Sequence, residues 1–268
     1  MQDKFGRIID TIRISVTDKC NFRCYYCIPD DYTFKDTKIL TFEEIIQIVK
    51  ECVEIGITKI KLTGGEPLLR KNIVNLISLL SKIESITDLS ITTNGTLLKD
   101  LALPLKQAGL KRINVSLDAL DEKLYSTITG GGSVFDVIEG IEEAKKVNLV
   151  PIKINTVLLK GKNEEEIPKI KEFCKNNNFN FQLINEMKLT KEKKDSENFY
   201  NTQKPPKCDK CNRIRLTSDG KLLPCLFGEK EIDIKQFNSI KEALISCVDN
   251  KIKKGKQNEN RIMNEIGG

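Results

Sequence analysis

Three cysteines, Cys20, Cys24 and Cys27, stand at spacing C-x3-C-x2-C just after an apolar, strand-like run, and three more, Cys208, Cys211 and Cys225, stand at C-x2-C-x13-C toward the other end. Cysteine sets of this kind hold iron–sulfur clusters or zinc through their thiolates. Closed electron-transfer clusters take four cysteines. The first trio has no fourth cysteine nearby, so a 4Fe-4S cluster on it keeps one iron open for a substrate or cofactor. A zinc site and a disulfide knot are the plainer readings of the same trio. For the second trio, cluster and zinc stand level. Cys247 is either its fourth ligand or, beside Ala243, Leu244 and Val248, part of a helix core. Cys52 and Cys174 fall on apolar helical stripes and read as core thiols.

Other residues invite chemistry. Arg213 and Arg215 lie two apart on a strand-like run between the second set of cysteines. Period two puts both on one face, and the guanidinium fork suits phosphate oxygens; a solvent-facing strand edge is the plain alternative. The chain has no histidine, which excludes histidine ligands, histidine bases and serine–histidine hydrolysis. The closing Gly267-Gly268 is either a frayed end or backbone able to enter a tight site.

These groups need a frame. Strands are expected over 12–16, 59–63, 88–92, 112–117, 150–157 and 181–184, and helices over 71–83, 97–108, 134–148 and 163–177. A further helix opens at Thr41 with Glu44 three residues on, a capping box. Ser133 is the expected cap of the helix at 134, and Gly109 is placed to end the one before it. Six successive β–α units imply α/β architecture, a parallel sheet covered by helices. In β/α barrels chemistry gathers at the C-terminal strand ends. The cysteine loop, Gly64-Gly65-Glu66-Pro67, Thr93-Asn94-Gly95, and Ser116 with Asp118 all fall there. Each glycine turn alone also reads as an ordinary strand-to-helix corner.

Residues 188–207 turn lysine-rich and polar and end near Pro205-Pro206, so they read as a linker or crossing segment. The expected division is therefore 1–187 for the barrel, 188–207 for the crossing, and 208–268 for a small C-terminal cysteine region. The chain's 268 residues, 39% hydrophobic and 31% charged, suit a globular protein with a real core. No run is apolar enough to span a bilayer and no secretory signal is evident, so a cytoplasmic protein without membrane or disulfide framework is expected. The net charge of +6 comes from scattered lysines and reads as a solvated surface, not a nucleic-acid site.

Taken together, the motifs resemble those of the GTP 3′,8-cyclase family, radical S-adenosylmethionine (SAM) enzymes of molybdenum-cofactor biosynthesis. The likeness rests on Phe5-Gly6-Arg7, residues 13–27, 61–70, 92–95, 108–118 and 153–155, the block 208–227 and the terminal glycines. It implies a partial TIM-type (β/α)6 radical SAM barrel. It implies two 4Fe-4S clusters, one on Cys20, Cys24 and Cys27 binding SAM, one on Cys208, Cys211 and Cys225 binding substrate. Tyr26, Gly64, Gly65, Glu66, Ser116 and Met187 correspond to the SAM site. Arg13, Lys61, Thr92, Lys153, Arg213 and Arg215 correspond to the GTP site, and Gly267 and Gly268 to a tail beside it. The implied reaction cleaves SAM to a deoxyadenosyl radical, which takes the ribose 3′ hydrogen before that carbon closes onto guanine C8. An electron donor such as flavodoxin or ferredoxin, a downstream cyclic pyranopterin monophosphate synthase and a homodimer are the partners this implies. Lys61 and Gln182 stand where the family usually has arginine, and the segment after Met187 is shorter than usual. Two other readings stay open: a radical SAM enzyme with an auxiliary cluster that modifies peptides, and a non-catalytic zinc protein.

Overall fold

Along each strand the odd and even residues have opposite characters. In β1 (Thr11–Ser15), Ile12 and Ile14 alternate with Thr11, Arg13 and Ser15. In β2 (Lys59–Thr63), Ile60 and Leu62 alternate with Lys59, Lys61 and Thr63. The pattern repeats in β3 (Asp88–Thr93), β4 (Arg112–Ser116) and β5 (Ile152–Leu158), and again in β7 (Arg213–Leu216). The apolar set is buried in one continuous core. A parallel sheet with helices on both faces is apolar on both. Here the second face is polar and charged, as the interior of an open barrel must be if it is to hold a polar ligand.

The computed structural model describes residues 1–29, 31–34, 38–186, 208–255 and 261–266. Its sheet has nine strands in the order β6-β5-β4-β3-β2-β1-β7-β8-β9. Strands β1 to β6, ending with β6 (Asn180–Asn185), pair in parallel and in sequence order. β7 pairs in parallel with the outer side of β1. β8 (Lys221–Leu223) and β9 (Ile232–Asp233) then continue the sheet antiparallel. The C-terminal cysteine region therefore shares one sheet with the barrel strands. The expected crossing segment lies outside the described residues.

The outer layer is formed by α1 (Phe42–Glu54), α2 (Ile73–Ser81), α3 (Leu98–Gln107), α4 (Glu122–Thr129), α5 (Val134–Lys146) and α6 (Glu166–Asn177), with α7 (Ile240–Asp249) against α1. The capping box at Thr41 is formed in both directions. Ser133 occupies the cap position of α5 but makes no side-chain cap bond. Glu122 from α4 accepts the Val134 N–H instead, at 2.8 Å. α4 itself is absent from the sequence expectation because its eight residues are too few for a helical period to stand out. Among the described residues no helix is long and apolar enough to cross a membrane.

Candidate active site

The loop that carries Cys20, Cys24 and Cys27 leaves the C-terminal end of β1. Two glycines after β2 let it pass. A Cβ on Gly64 would lie 2.3 Å from the Thr17 carbonyl oxygen, and one on Gly65 would lie 2.3 Å from that of Lys19. Gly65 and Glu66 donate backbone N–H bonds to those same two carbonyls. The turn after β3 is laced to the loop as well: Asn94 donates to Asn21 at 2.8 Å, and Asn21 to Thr96 at 3.0 Å. Glu66 joins the two turns. Its buried carboxylate accepts from Leu68 N–H, Thr93 hydroxyl and Asn94 N–H. Burial outweighs those bonds and pushes its carboxyl up to about 7.

Tyr26 is held by Asp118 at the end of β4. Its hydroxyl donates to Asp118 Oδ2 at 2.6 Å, while Val157 N–H donates to Oδ1 at 2.7 Å. Burial pushes the Asp118 carboxyl up to about 6. Burial also raises the Cys20 thiol to about 11 and the Cys27 thiol to about 12, and Cys24 is raised by burial and by its two neighbours. The three thiols thus sense one another in a poorly hydrated pocket. Such a trio becomes thiolate when a positively charged metal centre takes the place of the protons. Three soft thiolates fit an iron–sulfur core, which takes cysteine ligands.

Strand register assembles the polar face. One row across the sheet reads Arg215, Arg13, Lys61, Ser90, Arg112, from β7 through β1, β2 and β3 to β4. The neighbouring row reads Thr92, Asn114, Lys153. Asp88 answers Arg112 with a bidentate ion pair at 2.9 and 2.6 Å. The remaining cations depress one another. Burial, then Arg112, Arg13 and Arg213, bring Lys61 down to about 8. Burial and Arg213 bring Arg13 down to about 10. Arg215 and Lys153 are lowered by burial and by neighbouring guanidinium groups. A buried excess of like charge is costly without a counter-charge. A polyanion against this face would supply that counter-charge.

The second cysteine trio closes the other end. Cys208 and Cys211 precede β7, which runs parallel to β1, and Cys225 follows the antiparallel β8. Both connections place the trio at the N-terminal edge of the parallel sheet, opposite Cys20, Cys24 and Cys27. A five-residue strand spans roughly 16 Å, so the cation row lies between the two sets. Burial raises Cys225, whereas at Cys211 Lys251 and Arg213 outweigh burial and lower the thiol. Cys247 is fully buried in the main core as part of the α7 packing, and Cys52 and Cys174 are buried in the same core. The C-terminal helix α8 (Met263–Ile266) packs Met263 and Ile266 on Leu223 and Phe227, with Cys27 and Cys225 both against this small cluster. The Ile266 carbonyl accepts from Arg215 Nη1 at 3.3 Å.

A model of the radical SAM superfamily matches residues 14–174, and one described as Molybdenum Cofactor Synthesis C matches residues 190–260. The GTP 3′,8-cyclase of Thermodesulfovibrio yellowstonii is 41% identical over 92% of this chain and 93% of its own. The chain belongs to the GTP 3′,8-cyclase family. A second relative, the GTP 3′,8-cyclase of Clostridium botulinum strain Langeland, is 37% identical over the whole of both chains. That alignment runs to 319 positions, more than the 268 residues present here, so it opens gaps within this chain. Among solved structures, Streptococcus suis SuiB bound to S-adenosylmethionine superposes with a TM-score of 0.69 at 20% identity over 87% of this chain. This chain spans 65% of the SuiB chain. anSMEcpe with bound AdoMet gives 0.67 at 19% identity over 91% of this chain and 81% of its own. Both share the fold, that of a radical SAM partial barrel. The radical SAM match over residues 14–174 brings SAM and an iron–sulfur cluster with it.

Of the residues the family likeness points to, Arg13, Lys61, Thr92, Lys153 and Arg215 share the polar face, with Arg213 at its lower edge. Tyr26, Gly64, Gly65, Glu66 and Ser116 surround the first cysteine loop or end the strands beside it. Gln182 is exposed on the edge strand and its amide donates to the Leu183 carbonyl. Met187, Gly267 and Gly268 lie outside the described residues. Sequence reasoning passed over Arg112, although it shares the alternation of Asn114 and Ser116 along β4. It also passed over Lys251, a buried lysine beside Cys211 that carries no local signal in so lysine-rich a chain.

Proposed function

We propose that this chain is a lyase that converts GTP to (8S)-3′,8-cyclo-7,8-dihydroguanosine 5′-triphosphate, using SAM and two 4Fe-4S clusters. One observation supports the reading: a row of cations, Arg215 buried and Arg13, Lys61 and Arg112 half-buried, lies inside the barrel between two cysteine trios. When bound, SAM and the cluster on Cys20, Cys24 and Cys27 supply the one-electron chemistry that opens the reaction. The remaining work belongs to side chains. Arg13, Lys61, Lys153, Arg213 and Arg215 neutralise the triphosphate, with the arginine forks fixing its oxygens. Thr92 adds a hydroxyl on the same face. The trio Cys208, Cys211 and Cys225 would hold the second cluster, which would supply an open iron for the guanine end of the nucleotide. With phosphates and base fixed, the ribose is held at the mouth where Tyr26, Ser116 and the glycine turn seat SAM. Holding both partners in reacting geometry lowers the barrier by removing the entropy of their encounter.

α8, whose Ile266 carbonyl accepts from Arg215, closes over the site and excludes water and oxygen. A flavodoxin- or ferredoxin-type donor supplies the electron, a cyclic pyranopterin monophosphate synthase consumes the product, and the setting is the cytoplasm, with a homodimer as the assembly. The test is anaerobic turnover of reconstituted protein with SAM, a reductant and GTP. Deoxyadenosine formation that requires GTP is expected. Equal formation without GTP refutes GTP as the substrate.

A further inference from the structure

Lys251 is the one lysine among the described residues that is fully buried, at 1% exposure. It lies just past the end of α7. Its ammonium donates to the Arg213 carbonyl at 2.7 Å, to the Pro224 carbonyl at 2.8 Å and to Cys211 Sγ at 3.7 Å. Those contacts use all three of its donors. They also join both arms of the hairpin that carries the second trio, since Arg213 follows Cys211 and Pro224 precedes Cys225. The next residue extends the brace. The Ile252 carbonyl accepts from Arg7 Nη2 at 2.9 Å, and Arg7 Nη1 donates to the Cys208 carbonyl at 2.7 Å. Asp3 aims that guanidinium through Nε at 2.7 Å.

Carbonyl pairing alone does not call for a charge. A neutral amide satisfies two carbonyls without the desolvation cost of a buried ammonium. Among the described residues Lys251 forms no ion pair with a carboxylate, and its one soft contact is a cysteine sulfur. Three thiolates around a four-iron core carry net negative charge, and reduction adds one more. A fixed cation against one of those sulfurs favours the reduced state, because charge and hydrogen bonds at the sulfurs set cluster potentials.

We propose that Lys251 is a positioning residue for the C-terminal cluster: it sets the spacing of the Cys211 and Cys225 arms, and its charge raises the reduction potential of the iron they hold. This rests on the two-cluster reading above. Two variants separate the roles. Lys251→Gln keeps donors for the carbonyls and removes the charge; Lys251→Met removes both. Wild type and variants are reconstituted anaerobically, counted for iron, titrated by EPR-monitored reduction and challenged with a chelator.

Wild type is expected to hold about eight irons, as two four-iron clusters require. Lys251→Gln is expected to hold the same iron, with reduction of the C-terminal cluster disfavoured at least tenfold, about 59 mV for a one-electron couple, and the N-terminal cluster unmoved. Lys251→Met is expected to lose its C-terminal iron to chelator at least tenfold faster than wild type. Eight irons with wild-type midpoints in Lys251→Gln and wild-type retention in Lys251→Met overturn the role of Lys251 alone. Four irons in wild type overturn the two-cluster reading and this proposal with it. If Lys251→Met fails to fold, shown by loss of both clusters, the Lys251→Gln midpoint decides.

Discussion

Lys61 gives the polyanion site a pH signature. It faces Arg13 on β1, Ser90 and Asp88 on β3, Arg112 on β4 and Arg213 on β7. Burial and the three guanidinium groups hold its ammonium down at about 8, from an ordinary 10.5, against a smaller upward pull from Asp88. A bound triphosphate reverses that balance and restores the charge. The sign follows: affinity is full below the free-state value and falls as pH rises through about 8. Between pH 7 and pH 9 the charged fraction drops from about nine-tenths to about one-tenth, so GTP binding weakens about tenfold, or about 1.4 kcal/mol. The ligand contributes little to this slope, because the second ionisation of a phosphate lies near 6. Anaerobic titration calorimetry on the reconstituted protein reads the effect. At pH 8, two buffers of different ionisation heat should report uptake of about half a proton per GTP. Lys61→Arg stays charged throughout, so its affinity should be flat from pH 7 to 9. A wild-type slope retained in Lys61→Arg, or no proton uptake at pH 8, refutes the reasoning.

Three further perturbations probe other parts of the account. Arg215→Leu removes a buried guanidinium from the row and should weaken GTP binding by about 10- to 100-fold, the worth of a hydrogen bond to a charged group, while SAM binding by the same calorimetry stays at wild type. Gly65→Ala puts a Cβ 2.3 Å from the Lys19 carbonyl oxygen; iron analysis should show loss of the N-terminal cluster in a protein whose far-ultraviolet dichroism is unchanged. Ile113→Ala empties a fully buried position on the helix-facing side of β4 and should cost about 2–5 kcal/mol, read as a lower denaturant midpoint, with the iron count of the folded protein unaltered.

The succession of six β–α units made the barrel readable before any coordinates. Ile12, Ile60, Ile91 and Ile113 announce the helix-facing side, and the capping box at Thr41 needs only local contacts. The parts of the candidate site that sit in one local motif, such as Cys20, Cys24 and Cys27 or the tight turn at Gly64 and Gly65, stand out in the sequence. The site was not readable where partners meet across the sheet. Pairing of β7 with β1 sets Arg215 beside Arg13 although 202 positions separate them, and no local pattern encodes that. Glu122 replaces Ser133 in capping α5 for the same reason: the acceptor comes from another helix. The role of Asp118 emerges only when Tyr26 reaches it from the cysteine loop. Lys251 is hidden most deeply, since a lysine after a helix ordinarily faces water.

GTP carrying deuterium at C3′ tests most directly whether the nucleotide lies along the barrel with its ribose at the SAM mouth. Turnover with SAM and a reductant under anaerobic conditions should transfer that deuterium into 5′-deoxyadenosine, read by mass spectrometry, while GTP deuterated elsewhere on the ribose transfers none. Deoxyadenosine formed at full rate without deuterium from C3′ would contradict the placement of the nucleotide and the cyclase reading together.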